Sequence, residues 1–386
     1  MKPQLDANEI IRSVETETGL GKYADDALRG RVRALVEKFN DQAALTAENL
    51  PAVRAQVAKT LVARLKLARD WADHPEIAQE KIERPIFIVG YGRTGTTVTH
   101  SLMGEDPANR MVTWAESMHP SPPPGTDPAG ELARTTGAMR DLADSWMGEV
   151  STLLPLHPYF DHGIRTPIEC EELFAIDFLN DYPARYFRVP IAPLDTAASD
   201  PLAAYKFEKQ VLQHLQWKQP TQRWLLKGVF HQFVLDALWA VFPDACCVWT
   251  HRNPLQVVPS MFGIYTAIYD VIAPGFDHRE YARRMLTGLR AGMDHVLSSP
   301  TIDDPRVIHV RFGDFMGDPV GTIHGIYDKF GFTYTREFED RMRAWLANPH
   351  NRPDRYGKYR YSFEGYGVSP AEVETMFADY VKRFGL

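Results

Sequence analysis

Residues 84–104 read RPIFIVGYGRTGTTVTHSLMG, an apolar run that breaks into glycines and then returns to helical spacing. A run of Ile, Phe, Ile and Val without polar alternation suits a strand buried on both faces, and hence a parallel sheet covered by helices on both sides. Three later stretches repeat the pattern: RWLLKG (223–228), ACCVWTHR (245–252) and RVIHVRF (306–312), the last followed by DPVGTIHGIYDKFGF. Strand–helix alternation implies parallel strands joined by right-handed crossovers. The predicted fold class is α/β, with a central parallel sheet between helical layers.

The first 80 residues lack this pattern. DANE (6–9) has capping-box spacing, Ile10, Ile11 and Val14 then share a face, and Gly19 is placed to end that helix. Leu28, Val32, Leu35, Val36 and Phe39 form a second stripe, and Leu50, Val53, Val57, Leu61 and Leu65 a third. Residues 1–80 are therefore expected to be a helical extension packing on a main domain of residues 81–386. Two long loops are expected: HPSPPPGTDPAG (119–130), rigid enough to wall a pocket, and HNRPDRYGKYRYSFEGYG (350–367). A last helix spans 370–384 and ends at Gly385.

With 44% hydrophobic and 24% charged residues the 386-residue chain can bury a core throughout. A net charge of −7 argues against a general nucleic-acid binder, which needs a positive surface. The acidic N-terminus has no apolar stretch of the kind a signal peptide needs, and no segment approaches 18 consecutive apolar residues, so a cytoplasmic protein without a transmembrane segment is expected. Cys170, Cys246 and Cys247 form neither a disulfide framework nor a zinc spacing, and read as reduced core residues.

Gly90 to Thr97 occupy the turn between the first strand and its helix. Glycines let successive N–H groups converge on one anion, and the helix start adds unpaired donors and the positive end of its dipole. Arg93 adds a permanently charged fork, and the hydroxyls of Thr94, Thr96 and Thr97 are further candidate donors. Gly90 and Gly95 have the separation of an ATP-binding loop, but Thr96 stands where that loop has its lysine.

Arg93-Thr94-Gly95-Thr96-Thr97 resembles, position by position, the loop of sulfotransferases that use 3′-phosphoadenosine 5′-phosphosulfate (PAPS) as donor. That family also has an arginine at the end of a later strand and a serine eight positions on. Here VWTHRNPLQVVPSMF supplies Arg252 and Ser260. The resemblance extends over the whole chain in a bacterial branch with an N-terminal helical region and a YGKYRYS type of ending. It implies a three-layer fold of the P-loop type, with the 5′-phosphosulfate on Gly92, Arg93, Thr94, Gly95, Thr96 and Thr97. It places the 3′-phosphate on Arg252 and Ser260, with Lys358 or Arg360 of the C-terminal loop as candidates to close the site. The implied product is 3′,5′-adenosine diphosphate, and the resemblance allows a homodimer.

Sulfuryl transfer is in-line and depends on positioning and charge stabilisation. The sulfuryl group carries less charge than a phosphoryl dianion, so arginine and lysine suffice and no metal is expected. Arg93 is the first candidate to stabilise the transferring group. Lys227, at the end of a strand and hence at the ligand crevice of a parallel sheet, is the second. A hydroxyl acceptor needs a base. Animal members place a histidine two residues beyond the equivalent lysine, where this chain has Val229; the candidates are Glu169, in TPIECEELF (166–174), and His231. Glu116, His119 and His162 are weaker candidates.

The stretches WAESMHPSPPPG (114–125), LLPLHPYFDHG (153–163), NDYPARYF (180–187) and MFGIYTAIYDVIAPGF (261–276) are rich in aromatic and aliphatic residues. They are expected to wall a pocket for a hydrophobic hydroxyl compound such as a lipid, sterol, polyketide or phenol. The competing functions are a P-loop kinase of a small molecule and a non-catalytic nucleotide-binding protein using the N-terminal helices as an interaction surface.

Overall fold

The computed structural model describes residues 3–181, 189–190 and 197–386, without the side chains of Trp146, Phe160 and Asp161. Most of the stretch 180–187 lies outside the described residues.

The four apolar runs form strands β1 (Ile86–Val89), β3 (Arg223–Gly228), β4 (Cys246–His251) and β5 (Val307–Arg311), with a two-residue β2 (Asn109–Arg110) at one edge. The order is β2-β3-β1-β4-β5, with every pairing parallel. Side-chain alternation divides the core into two faces. Phe87, Val89, Trp224, Leu226, Cys247 and Trp249 pack on one side, against helices that include Pro201–Gln216, Pro254–Ile272 and His278–Ser298. Ile86, Ile88, Leu225, Cys246 and Val248 pack on the other, against Thr96–Met103, Pro319–Phe330 and Arg336–Ala347. Helices thus cover both faces of a parallel sheet, the three-layer arrangement expected.

β1 lies between β3 and β4, so the strand order reverses there, and ligands of open α/β sheets bind beyond the carboxyl ends of such strands. Val89 pairs in register with Gly228 on one side and Trp249 on the other. Gly90 and Val229 therefore leave the sheet along one edge, where β4 continues beside β5 through Thr250 and His251 before Arg252 leaves it.

The N-terminal helices Ala7–Thr18, Asp26–Gln42 and Leu50–Asp73 share their own core, including Ile10, Val14, Val32, Val36, Phe39, Val57 and Leu61, with Phe178 and Val189 added from the body of the chain. The Asp6 side chain accepts from the Glu9 amide, and Gly19 ends the first helix at φ 68°. Arg31 and Arg64 converge on Asp177 at 2.7 and 2.6 Å, and Lys38 pairs with Asp181 at 2.8 Å.

Four elements differ from expectation. Asp127 caps a helix that begins at Pro128, so the proline-rich loop is shorter than 119–130, and its residues do not line the cavity described below. β2 is too short to leave a periodic signal. The terminal helix is divided at Phe377 into Pro370–Met376 and Ala378–Phe384. Pro254–Ile272 is by length and composition apolar enough to cross a membrane, but 67% of its apolar window is buried against the rest of the fold.

Candidate functional site

The turn after β1 is held in shape from behind. Gly90 has φ 136°, and a β-carbon there would lie 2.6 Å from the Thr250 carbonyl oxygen, so only glycine fits. The Gly90 amide donates to Gln232 Oε1 at 3.2 Å, tying the turn to the segment after β3. The Thr94 hydroxyl bonds to the Tyr91 carbonyl (2.6 Å) and to Thr250 Oγ1 (2.7 Å). It therefore braces the loop and faces away from the cavity, unlike the ligand-facing hydroxyl expected. Gly95, at φ 100°, precedes helix Thr96–Met103 without a side-chain cap, which leaves the first-turn amides of that helix directed at the cavity.

Arg93 has φ 72°, a sparsely populated conformation for a residue with a side chain. Its Nε donates to Ser260 Oγ at 2.8 Å, and its Nη2 to the Leu156 carbonyl (2.7 Å) and the Tyr361 hydroxyl (2.8 Å). Arg252 Nη1 donates to the Arg93 carbonyl at 3.1 Å, and its guanidinium lies 4.2 Å from the Phe312 ring. Among the described residues neither arginine forms an ion pair with a carboxylate. Burial, and then the charge of Arg93, lowers the Arg252 pKa from its ordinary value. Two adjacent guanidinium groups without carboxylate partners, beside a helix start, can compensate the charge of an anion. Ser260 is buried behind Arg93 and does not itself line the cavity.

Lys227, buried at the end of β3, pairs through Nζ with Glu169 Oε1 at 2.8 Å. Glu169 immediately precedes helix Cys170–Ile176, whose start is set by the Pro167 segment bridging to Thr113. His231 does not reach the cavity. It is fully buried, its Nδ1 bonded to the Tyr205 hydroxyl at 2.7 Å and its ring edge-on to Phe87, and burial pushes its pKa down to about 3. A histidine locked neutral inside the core cannot meet an acceptor hydroxyl, which corrects the expectation that placed it there. Glu116 closes a capping box with Thr113 and pairs with Arg110, and His119 bonds to Asp141. His162 sits exposed at the cavity rim.

These groups line a cavity of about 630 Å³. Gly92, Arg93, Gly95, Thr96, Thr97 and Arg252 line it, together with Lys227, Glu169 and Val229. Leu142, Met147, Leu156, Ile264, Tyr265 and Ile268 supply an apolar wall. Two of the predicted wall stretches, 153–163 and 261–276, contribute, and 114–125 contributes Trp114. From the C-terminal loop come Asn351, Arg352, Pro353 and Tyr361, whereas Lys358 and Arg360 are exposed and do not line the cavity. Sequence reasoning missed His157, which also lines the cavity: its Nε2 lies 3.4 Å from Thr97 Oγ1, and burial together with Arg93 and Lys227 pushes its pKa down to about 3. It missed Gln232 and Tyr361 as well. Phe312, immediately after β5, carried the same strand-end signal as Arg252.

Comparison with known proteins agrees with this geometry. A sequence model described as the sulfotransferase family matches residues 85–336. The omega-hydroxy-beta-dihydromenaquinone-9 sulfotransferase of Mycobacterium bovis is 25% identical over 319 residues, 78% of this chain and 75% of that protein. The crystal structure of sulfotransferase STF9 from Mycobacterium avium superposes with a TM-score of 0.80 at 26% identity, over 98% of this chain and 97% of that one. Sulfotransferase STF1 from Mycobacterium tuberculosis, at 24% identity, shares the fold with a TM-score of 0.76 over 98% of this chain and all (100%) of that one. The family match spans the strands, the Arg93 loop and Arg252, and the chain belongs to the sulfotransferase family.

Proposed function

We propose that this enzyme transfers a sulfuryl group from PAPS to the hydroxyl of a hydrophobic small molecule. The observation that carries the donor assignment is the Arg93–Arg252 pair, joined at 3.1 Å beside the start of helix Thr96–Met103 and without a carboxylate partner among the described residues. In this reading Gly92, Arg93, Gly95, Thr96 and Thr97 hold the 5′-phosphosulfate. Arg252, with Ser260 once it exchanges its bond to Arg93, holds the 3′-phosphate. The arginines, rather than a metal ion, supply the compensating charge.

Transfer requires the acceptor oxygen to attack sulfur while the bond from sulfur to the 5′-phosphate oxygen breaks, the electron pair leaving with 3′,5′-adenosine diphosphate. The acceptor proton goes to Glu169, which lies in the cavity against Lys227. Lys227 and Arg93 hold the charge that develops on the leaving phosphate. Glu169 is favoured over the other carboxylates because it is both cavity-lining and beside the lysine. A cytoplasmic, thiol-reducing setting agrees with the three unpaired buried cysteines.

The apolar wall of Leu142, Met147, Leu156, Ile264 and Ile268 favours an acceptor with little polarity beyond its hydroxyl. The name of the mycobacterial relative, whose acceptor is an omega-hydroxylated dihydromenaquinone, supports a lipid-like alcohol. The test is release of 3′,5′-adenosine diphosphate from PAPS with a long-chain prenyl alcohol, a sterol, a phenol and a hexose as acceptors. Turnover with the apolar alcohols is expected; turnover with the hexose alone would contradict the acceptor class.

A further inference from the structure

Arg165, Met316, Leu346, Arg352 and Tyr361 both line the cavity and are exposed, which places them at its mouth. Met316 and Leu346 are 47% and 38% exposed, and large apolar side chains grouped in the open at the rim of a pocket mark an interaction site. The carboxylates that line the cavity, Glu105, Glu169 and Glu172, are less exposed. Among the described residues, the charge displayed at the mouth is therefore positive.

The C-terminal loop extends this charge. Residues 352–360 carry Arg352, Arg355, Lys358 and Arg360 against one acid, Asp354, in a chain whose net charge is −7. The loop is tied to the mouth at two points. Arg355 Nη2 donates to the Pro158 carbonyl at 2.6 Å, and its guanidinium lies 5.6 Å from the ring of Tyr159, which stacks on Trp345. Further on, the Tyr361 hydroxyl accepts from Arg93 Nη2 at 2.8 Å. Between these anchors Tyr356, Lys358 and Arg360 are exposed. Arg165, Arg352, Lys358 and Arg360 form no ion pair with a carboxylate among the described residues. By contrast, Arg336, Arg341 and Arg343 of helix Arg336–Ala347 pair with Asp340, Glu337 and Glu339.

Cations without partners beside exposed apolar side chains suit a partner that is anionic at its surface and apolar beneath. An anionic nucleotide in solution would be drawn by the charge but would leave Met316, Leu346 and Tyr356 without a use; a lipid bilayer takes both. We propose that the cavity mouth and the Arg352–Arg360 loop form a docking surface for an anionic lipid bilayer, which delivers a lipid-like acceptor into the cavity without passage through water. This rests on the reading of the acceptor as an apolar alcohol. Each basic residue close to an anionic bilayer strengthens binding about fivefold.

The test is sedimentation of the full chain with vesicles of phosphatidylcholine alone and of phosphatidylcholine with about 30% phosphatidylglycerol. The wild type should bind the anionic vesicles at about 0.05 M salt, lose most of that binding at about 0.5 M, and leave the neutral vesicles unbound. Lys358→Gln with Arg360→Gln should weaken binding about 25-fold, and Met316→Gln with Leu346→Gln about tenfold or more. Equal binding to both vesicle types, no binding to either, or a charge variant that binds like the wild type would overturn the proposal. So would self-association that Met316→Gln with Leu346→Gln abolishes, without vesicle binding, since the face would then belong to a second copy of the chain. All four substitutions alter exposed side chains, and if a variant does not fold, the wild-type comparison between the two vesicle types decides. A wild type that turns over apolar alcohols free in solution but ignores anionic vesicles overturns the docking surface and leaves the acceptor reading standing. Turnover of the hexose alone overturns the acceptor reading and the proposal with it.

Discussion

The Nε–H of Arg93 donates to Ser260 Oγ across 2.8 Å, joining a residue of the turn after β1 to one in the middle of helix Pro254–Ile272. In the proposed site these two residues serve opposite ends of the donor, so binding must exchange their mutual bond for bonds to the two phosphate groups. Ser260→Ala should therefore weaken 3′,5′-adenosine diphosphate, by the ~1.5–3 kcal/mol of a hydrogen bond to a charged group, and leave AMP affinity little changed. Calorimetry with the two nucleotides checks this.

Removing the Arg93 charge should cost more in rate than in binding. Its guanidinium is held by Ser260, Leu156 and Tyr361, so it is pre-placed beside the helix start. Arg93→Ala is expected to lower kcat by about 10²–10³, as removal of one preorganised donor does elsewhere. Arg93→Lys should recover only part of this, because a point charge cannot reproduce three directed bonds. Steady-state release of the bisphosphate product reads both.

Glu169→Gln should lower kcat by about 10²–10⁴ with donor affinity retained, since it removes the proposed proton acceptor and keeps a hydrogen bond to Lys227. His231→Gln should change stability more than chemistry, because His231 sits between Phe87 and Tyr205 in the core. Equal kcat losses with unchanged stability in the two variants would contradict this division.

Gly90→Ala should destabilise the fold by about 3 kcal/mol or more, from overpacking together with a left-handed φ that alanine resists. The clash is with backbone, the Thr250 carbonyl, which cannot rotate away. Urea denaturation gives the value directly.

Stability should pass through a maximum near pH 6–7, set by two opposed groups of buried residues. Burial lowers His100, His157 and His231 to about 3 and His214 to about 4, and lowers His251 and His309 as well. The fold keeps these neutral, so below about 6.5 the unfolded chain takes up protons first and stability is lost as pH falls toward about 3. Burial raises Glu171 and Glu208 to about 8, so the fold holds protons that the unfolded chain has released, and their contribution is lost as pH rises from about 4.5 to 8. His309→Gln should reduce the acid slope by up to about 1.4 kcal/mol per pH unit, seen in urea midpoints.

The strands and the charged loop residues were legible because each is a local pattern. Ile86–Val89 and Cys246–His251 are apolar without interruption, and Arg93 and Arg252 stand directly beyond such runs. Side-chain direction was not legible, because it depends on partners far along the chain. Thr94 turns inward because Thr250 lies behind it, and His231 is captured by Tyr205, 26 residues earlier. The residue by which the C-terminal loop meets the site escaped for the same reason: Tyr361 meets Arg93 across 268 residues, and no spacing announces it. Strand β2 owes its place to pairing with Arg223 and Trp224 rather than to any pattern in Asn109 and Arg110.

In the proposed site the Arg93 loop and Arg252 together hold one nucleotide by two separated phosphate groups. Calorimetric titration with 3′,5′-adenosine diphosphate, ATP and AMP, each with and without magnesium, tests it most directly. Tight binding of the bisphosphate, unaffected by magnesium, and weak binding of the other two are expected. Preference for ATP with magnesium, or equal affinity for AMP and the bisphosphate, would contradict it.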